Sequence, residues 1–240
     1  MKNLPVENKN EKIVGYYSSI LLSIITLVTF GFAITAVPVS GAFCTGNCIE
    51  YPYFNSLQQF PKDYYWMFIS CIQLLVYLVF VVSVHAHAPA NKKIFTQLAL
   101  SFSIITGMVL LTCYFIQFSV VPASLMNGET HGIALLTQYN PHGVFIAMEE
   151  LGYILMSISF LFLAFAFGKK SKVERSIRLI FKVAIVLAIA AFVIITIEHG
   201  IVRKDRFEII IISINWLVLL INGILVSVVF KRSLMPSKKS

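Results

Sequence analysis

Apolar residues run along this chain in six long stretches, at positions 13–37, 64–84, 95–121, 144–167, 179–197 and 209–230, with polar residues gathered in the gaps between them. A helix needs about 20 mostly apolar residues to cross a ~30 Å hydrocarbon core, and each stretch is close to or above that length. A transmembrane β-barrel would instead show segments of roughly ten residues that alternate apolar and polar side chains. The pattern predicts an all-α fold, a polytopic transmembrane helical bundle of six spans. No gap is long enough for a water-soluble domain, so residues 1–240 are expected to form a single integral membrane domain. The first stretch far exceeds the roughly 7–15-residue core of a signal peptide, and it is read as a retained span rather than a leader cleaved near Gly41.

Composition sharpens this picture. The 240 residues are 58% hydrophobic and 12% charged, and mean hydropathy is +0.83, against about 45–50% apolar and 25% charged in soluble domains. A net charge of +8 raises the question of a nucleic-acid partner, but most basic residues sit just outside the apolar stretches, where membrane topology places them. Nucleic acid is therefore not an expected partner; the bilayer is.

Those basic residues also set a direction. One set of ends carries Lys2, Lys9 and Lys12, then Lys92 and Lys93, then the run from Lys169 to Lys182 that includes Lys170, and finally Lys231, Arg232, Lys238 and Lys239; the other carries Lys62, Arg203, Lys204 and Arg206. Fifteen against four predicts both termini in the cytoplasm of a cell-membrane protein. It also leaves two substantial outer loops, 38–63 and 122–143. In the first, Cys44 and Cys48 flank Thr45, Gly46 and Asn47, which permit a tight turn; they are either a disulfide formed in an oxidising compartment or two free thiols. Tyr51, Tyr53, Phe54, Phe60, Tyr64, Tyr65 and Trp66 read as an aromatic belt at the headgroup level. The short apolar patch 133–136 is expected on the bilayer surface.

Candidate chemistry concentrates at the start of the fourth stretch. Asn140 followed by Pro141 signals a helix start, with Asn as the cap and Pro in the first turn. Glu149 would then lie about 12 Å below that cap, inside the hydrocarbon. A carboxyl group there costs roughly 2.5–3.5 kcal/mol, with Asp as the nearest measured analogue, so Glu149 and Glu150 must face protein or water. At 100° per residue, Glu149 shares a stripe with His142 and Tyr153, while Glu150 shares a small-residue seam with Gly143, Ala147 and Ser157. Gln117, Glu198, His199 and Asn215 bring further polar groups to the same height. Asn215 lies on one face with Glu208 and Asn222, and Glu208 is read as interfacial. The opposite halves of the spans read as nearly pure Leu, Ile, Val, Phe and Ala.

Three functional readings follow. The first is a binding or transport bundle whose acidic pocket, built from Glu149, Glu150, His142, Tyr153, Glu198, His199, Asn215 and Gln117, takes a cation, a proton or a small basic ligand from outside. The second is a membrane-embedded metal-dependent hydrolase or lipid-modifying enzyme using His142, Glu149, Glu198 and His199. It is weakened by the absence of H-E-x-x-H and G-x-S-x-G motifs. The third is a non-catalytic assembly or sensing subunit, for which buried acids have no use. The first is preferred. No cofactor, metal or oligomeric state is indicated by the sequence.

Overall fold

The computed structural model describes residues 9–36, 38–169 and 171–235. Val37, the predicted end of the first span, and Lys2, Lys170, Lys238 and Lys239 lie outside the described residues. The chain is an all-α bundle, with eight α-helices among the described residues: α1 (Lys9–Thr35), α2 (Tyr65–His87), α3 (Lys93–Ser119), α4 (Val121–Met126), α5 (Ile133–Leu136), α6 (Val144–Leu163), α7 (Lys172–His199) and α8 (Arg206–Leu234). Six of them, all but α4 and α5, are long and apolar enough to cross a membrane. Several helices outrun their apolar stretches at one end. α7 begins at Lys172, well before position 179, because helical hydrogen bonding continues into charged sequence where the hydrocarbon criterion stops.

The six spans pack as a ring in the order α1, α2, α3, α6, α7, α8, and α8 returns to α1. α6 also touches α8, which pushes α7 to the periphery, and α7 is the least buried span. One end of the ring carries the longer connections, residues 36–64, 120–143 and 200–205, and is called the loop end here; the other carries the tight, basic turns.

At the basic end α2 stops at His87, because a residue before Pro89 is driven out of the helical region, and Ala88 is extended. α6 stops at Leu163, and carbonyls of the turn that follows it are met by cations, on the side where the negative end of the helix favours them. Lys92 Nζ donates to Ala166 O and Phe167 O, both at 3.0 Å, and Arg178 donates to Phe167 O at 2.9 Å.

Helix contact in lipid depends on small residues and interhelical hydrogen bonds rather than on hydrophobic burial. α1 and α8 meet this way. Ser23 Oγ donates to Leu220 O at 3.0 Å, and a Cβ on Gly223 would run into Ser23 Oγ and the Ser19 carbonyl. Toward the loop end the same two helices meet through the Phe30 and Trp216 rings, 5.7 Å between centroids.

The basic half of the bundle is not the inert apolar layer expected from composition. Tyr77 Oη, Ser103 Oγ and Ser159 Oγ form a buried cluster joining α2, α3 and α6 at 2.8–3.0 Å; nearer the loop end, Gln73 Nε2 donates to Thr26 Oγ1 at 2.9 Å. Serine and threonine scattered through an apolar run lower its hydropathy only a little, yet the ring turns them inward.

Candidate functional site

Asn140 does not cap α6. Its Oδ1 accepts the His142 N–H at 3.0 Å and its carbonyl accepts the Gly143 N–H at 2.8 Å, forming a side-chain-closed turn; the helix opens at Val144 with Gly143 as cap residue. Asn and Pro initiate turns as readily as helices, and here the turn takes both. Two expectations change with it. Glu149 sits about 9 Å below the cap rather than 12 Å, and His142 precedes the helix, so helical periodicity does not place it with Glu149.

Glu149 is fully buried at the end of a hydrogen-bond chain. Trp216 Nε1 donates to Tyr153 Oη at 3.1 Å, Tyr153 and Tyr114 hydroxyls meet at 3.0 Å, and Tyr114 donates to Glu149 Oε1 at 2.7 Å. An indole N–H can only donate, so every bond in the chain points toward the carboxyl group. The other oxygen, Glu149 Oε2, receives no donor among the described residues. The Glu149 carboxyl group is also in side-chain contact with the carboxyl group of Glu208. No Lys or Arg side chain reaches either acid among the described residues.

Glu208 is 8% exposed, and the exposed part looks into a cavity of ≈ 520 Å³ at the loop end, between α1, α2, α6 and α8. That volume is ordinary for a small-molecule site. Trp66, Trp216, Phe30, Phe43 and Phe145 supply aromatic walls, and Asp63 and Asp205 stand at the rim with Glu208 beneath. Among the described residues no Lys, Arg or His lines the cavity. Trp66 sits edge-on to both Tyr114 (5.4 Å between centroids) and Trp216 (6.3 Å), which ties the cavity wall to the hydrogen-bond chain.

Two of the three acids already have partners. Asp63 Oδ2 accepts the Tyr139 hydroxyl at 3.2 Å, and burial is the main cause that holds the Tyr139 phenol above its usual range. Asp205 Oδ1 accepts the Ala42 N–H at 2.8 Å, pinning the first loop over the cavity. Gly41 makes this approach possible. Its φ is +77°, and a Cβ there would strike the Asp205 carboxylate. Glu208 alone faces the cavity with no donor from the chain beyond its contact with Glu149.

The remaining sequence candidates divide. Tyr153 belongs to the Glu149 chain. Glu150 does not lie on a small-residue seam alone; it is chelated by Arg203, whose Nε reaches Oε1 at 3.2 Å and whose Nη2 bonds Oε2. That carboxylate holds the Arg203 guanidinium above its ordinary value, and the guanidinium also lies 5.2 Å over the Phe192 ring. His142 is exposed and lines a separate ≈ 200 Å³ recess with Glu150 and Arg203. Asn215 exchanges hydrogen bonds with Ser157 at 3.0–3.2 Å, and Gln117 bridges Tyr64 and the Gln138 N–H, so both link elements rather than line the cavity. Glu198 and His199 pair with each other at 3.8 Å, with the Glu198 side chain 62% exposed, away from Glu149. The four residues of the hydrolase reading are thus not brought together, and among the described residues no three His, Cys, Asp or Glu side chains are placed to hold a metal ion.

The sequence reading missed the inward turn of three residues. Glu208 looked interfacial beside Asp205 and Arg206, although its spacing of seven from Asn215 was the signal that it shares the buried face of α8. Tyr64, 1% exposed, and Trp66 are not part of a lipid-facing belt; Tyr51, Phe54, Phe60 and Tyr65 are exposed as a belt requires. In the first loop Cys44 and Cys48 form a disulfide. The patch 133–136 is the single turn α5, with Ile133 buried under the loop and Leu135 exposed.

Comparison with known proteins returns no family model, no curated protein and no solved structure that matches the chain.

Proposed function

We propose that the protein is an integral membrane binding protein or carrier for a cationic ligand, which it receives in the loop-end cavity. One observation carries this reading. Glu208 faces a cavity of ligand size, in contact with a second buried carboxyl group and, among the described residues, out of reach of any basic side chain. Two carboxyl groups in contact in a low-dielectric site repel unless positive charge lies with them, as a proton or as a bound cation. Aromatic faces around the cavity add attraction for an ammonium group. The distribution of basic residues supports placing the cavity on the outer side of the cell membrane with both termini in the cytoplasm.

The experiment is a thermal-unfolding screen of the purified protein against organic amines of short and long chain. At least one amine raises the melting temperature of the wild type and leaves Glu208→Gln and Glu149→Gln unmoved. Stabilisation that persists in both variants, or a screen in which no amine stabilises the wild type, refutes the proposal.

A further inference from the structure

The cavity wall is incomplete on one side. Ile34 on the last turn of α1 and Ile209 on the first turns of α8 both line it, yet they are 69% and 39% exposed on the outer surface of the bundle. Ser213, one turn further along α8, also lines the cavity and is half-buried. Farther toward the basic end α1 and α8 close on each other at Ser23 and Gly223. At the level of the cavity the Phe30 ring of α1 meets Trp216 of α8 at 5.7 Å, and beyond that contact Ile34 and Ile209 leave the cavity open at the seam. No other span packs over this seam, because α1 is flanked by α2 and α8 and α8 by α1, α6 and α7. In a bilayer that opening faces lipid.

We propose that the ligand is a long-chain amine: a single-chain amphiphile with a cationic head and no phosphate, its head at Glu208 and its tail leaving the bundle between α1 and α8. This rests on the cation-binding reading above and names the class of ligand. The head chemistry comes from the lining. Carboxyl groups and aromatic rings suit an ammonium ion, whereas a phosphate calls for Arg or Lys, and none among the described residues lines the cavity. A zwitterionic phospholipid headgroup would set its phosphate against Asp63, Asp205 and Glu208. The tail comes from the seam. Phe30, Ile34, Ile209 and Ile212 form an apolar strip continuous with the cavity, which a short amine would leave uncovered. Measured from water, each methylene that stays in apolar surroundings along this route contributes about fourfold to affinity.

The chain has two tryptophans, Trp66 and Trp216, and both line the cavity, so its intrinsic fluorescence reports on this site. The protein in phosphatidylcholine nanodiscs is titrated with sphingosine, ethylamine and sphingosine 1-phosphate. The expected result is a saturable fluorescence change with sphingosine, at least about tenfold tighter than with ethylamine or with the phosphorylated analogue, since two buried methylenes already supply that factor. Glu208→Gln weakens both amines about tenfold or more. Ser213→Phe, which fills the mouth of the seam, weakens sphingosine alone. Equal affinity for sphingosine and ethylamine, both dependent on Glu208, overturns the long-chain class and leaves cation binding standing. Absence of any Glu208-dependent response overturns both. Tight binding of sphingosine 1-phosphate, or sphingosine binding untouched by Ser213→Phe, overturns the head or the route of the tail.

Discussion

Replacing Glu208 with Gln should make the unliganded protein more stable, the reverse of what removing a structural contact would do. In the native site Glu149 Oε2 is buried without a donor among the described residues, and the Glu149 carboxyl group is in contact with a second one. A glutamine of the same shape offers an amide N–H to the Glu149 carboxyl group and removes one acid from the pair. A hydrogen bond to a charged, buried acceptor contributes about 1.5–3 kcal/mol, so a net gain of about 2 kcal/mol is expected. For a chain of this size that is roughly 4–8 °C in apparent melting temperature. The readout is thiol labelling on heating in detergent, because the Cys113 thiol is 3% exposed in the folded state and becomes reactive when the bundle opens. The same variant should gain nothing from added amine. Melting at or below the wild-type temperature would show that the acid pair is already satisfied in the empty protein, and the argument for a missing cation would fail with it.

Other consequences can be measured in the same way. Arg203→Ala strands Glu150, whose side chain is 10% exposed, and should cost about 1–3 kcal/mol, less than a fully buried pair because Arg203 is partly in solvent; a double-mutant cycle with Glu150→Gln that proves additive would refute the pairing. Tyr114→Phe removes the donor to Glu149 Oε1 and should lower stability by about 1.5–3 kcal/mol, whereas an unchanged melting curve would mean that another donor replaces it. Gly223→Leu should cost about 1–3 kcal/mol by forcing α1 from α8, while Gly31→Ala, with open space around it, should be neutral or stabilising; equal effects would contradict the close approach at Gly223. Cysteine placed at Thr130 should react with an impermeant maleimide from outside intact cells, and labelling only after permeabilisation would reverse the proposed orientation.

The six spans were legible because the hydrocarbon criterion acts on each segment alone: twenty apolar residues in a row need no partner to be recognised. Their ring order was not, since it depends on which faces carry Ser, Gly and Tyr, and those residues barely alter the hydropathy of a run. Glu149 was legible for the same reason as the spans, as a charge that breaks one. Glu208 was harder because it stands at the edge of its run among Asp205 and Arg206, where local sequence gives the same reading whether the side chain meets water or turns inward. Only the packing of α8 on α6 decides it. Trp66 shows the same ambiguity, because an aromatic ring at a helix end suits the headgroup layer and a cavity wall equally well.

Unpartnered polar atoms are not confined to the acid pair, and the difference between them carries the functional argument. Ser70, Thr106 and Asn222 also hold buried atoms without a partner among the described residues. They are neutral, and a single internal water can meet each of them. Water is a weaker remedy for two carboxyl groups in contact, because hydration does not remove their like charge; a proton or a cation does. The rest of this layer shows that the bundle can satisfy polar groups internally: Asn215 finds Ser157, Gln117 finds Tyr64 and Gln138, and Glu150 finds Arg203. Arg203 sits one loop away from Glu208, yet it is turned to Glu150. Of the three acids lining the cavity, Glu208 is thus the one with no donor from the described residues, and it is this gap that the proposed cation would fill.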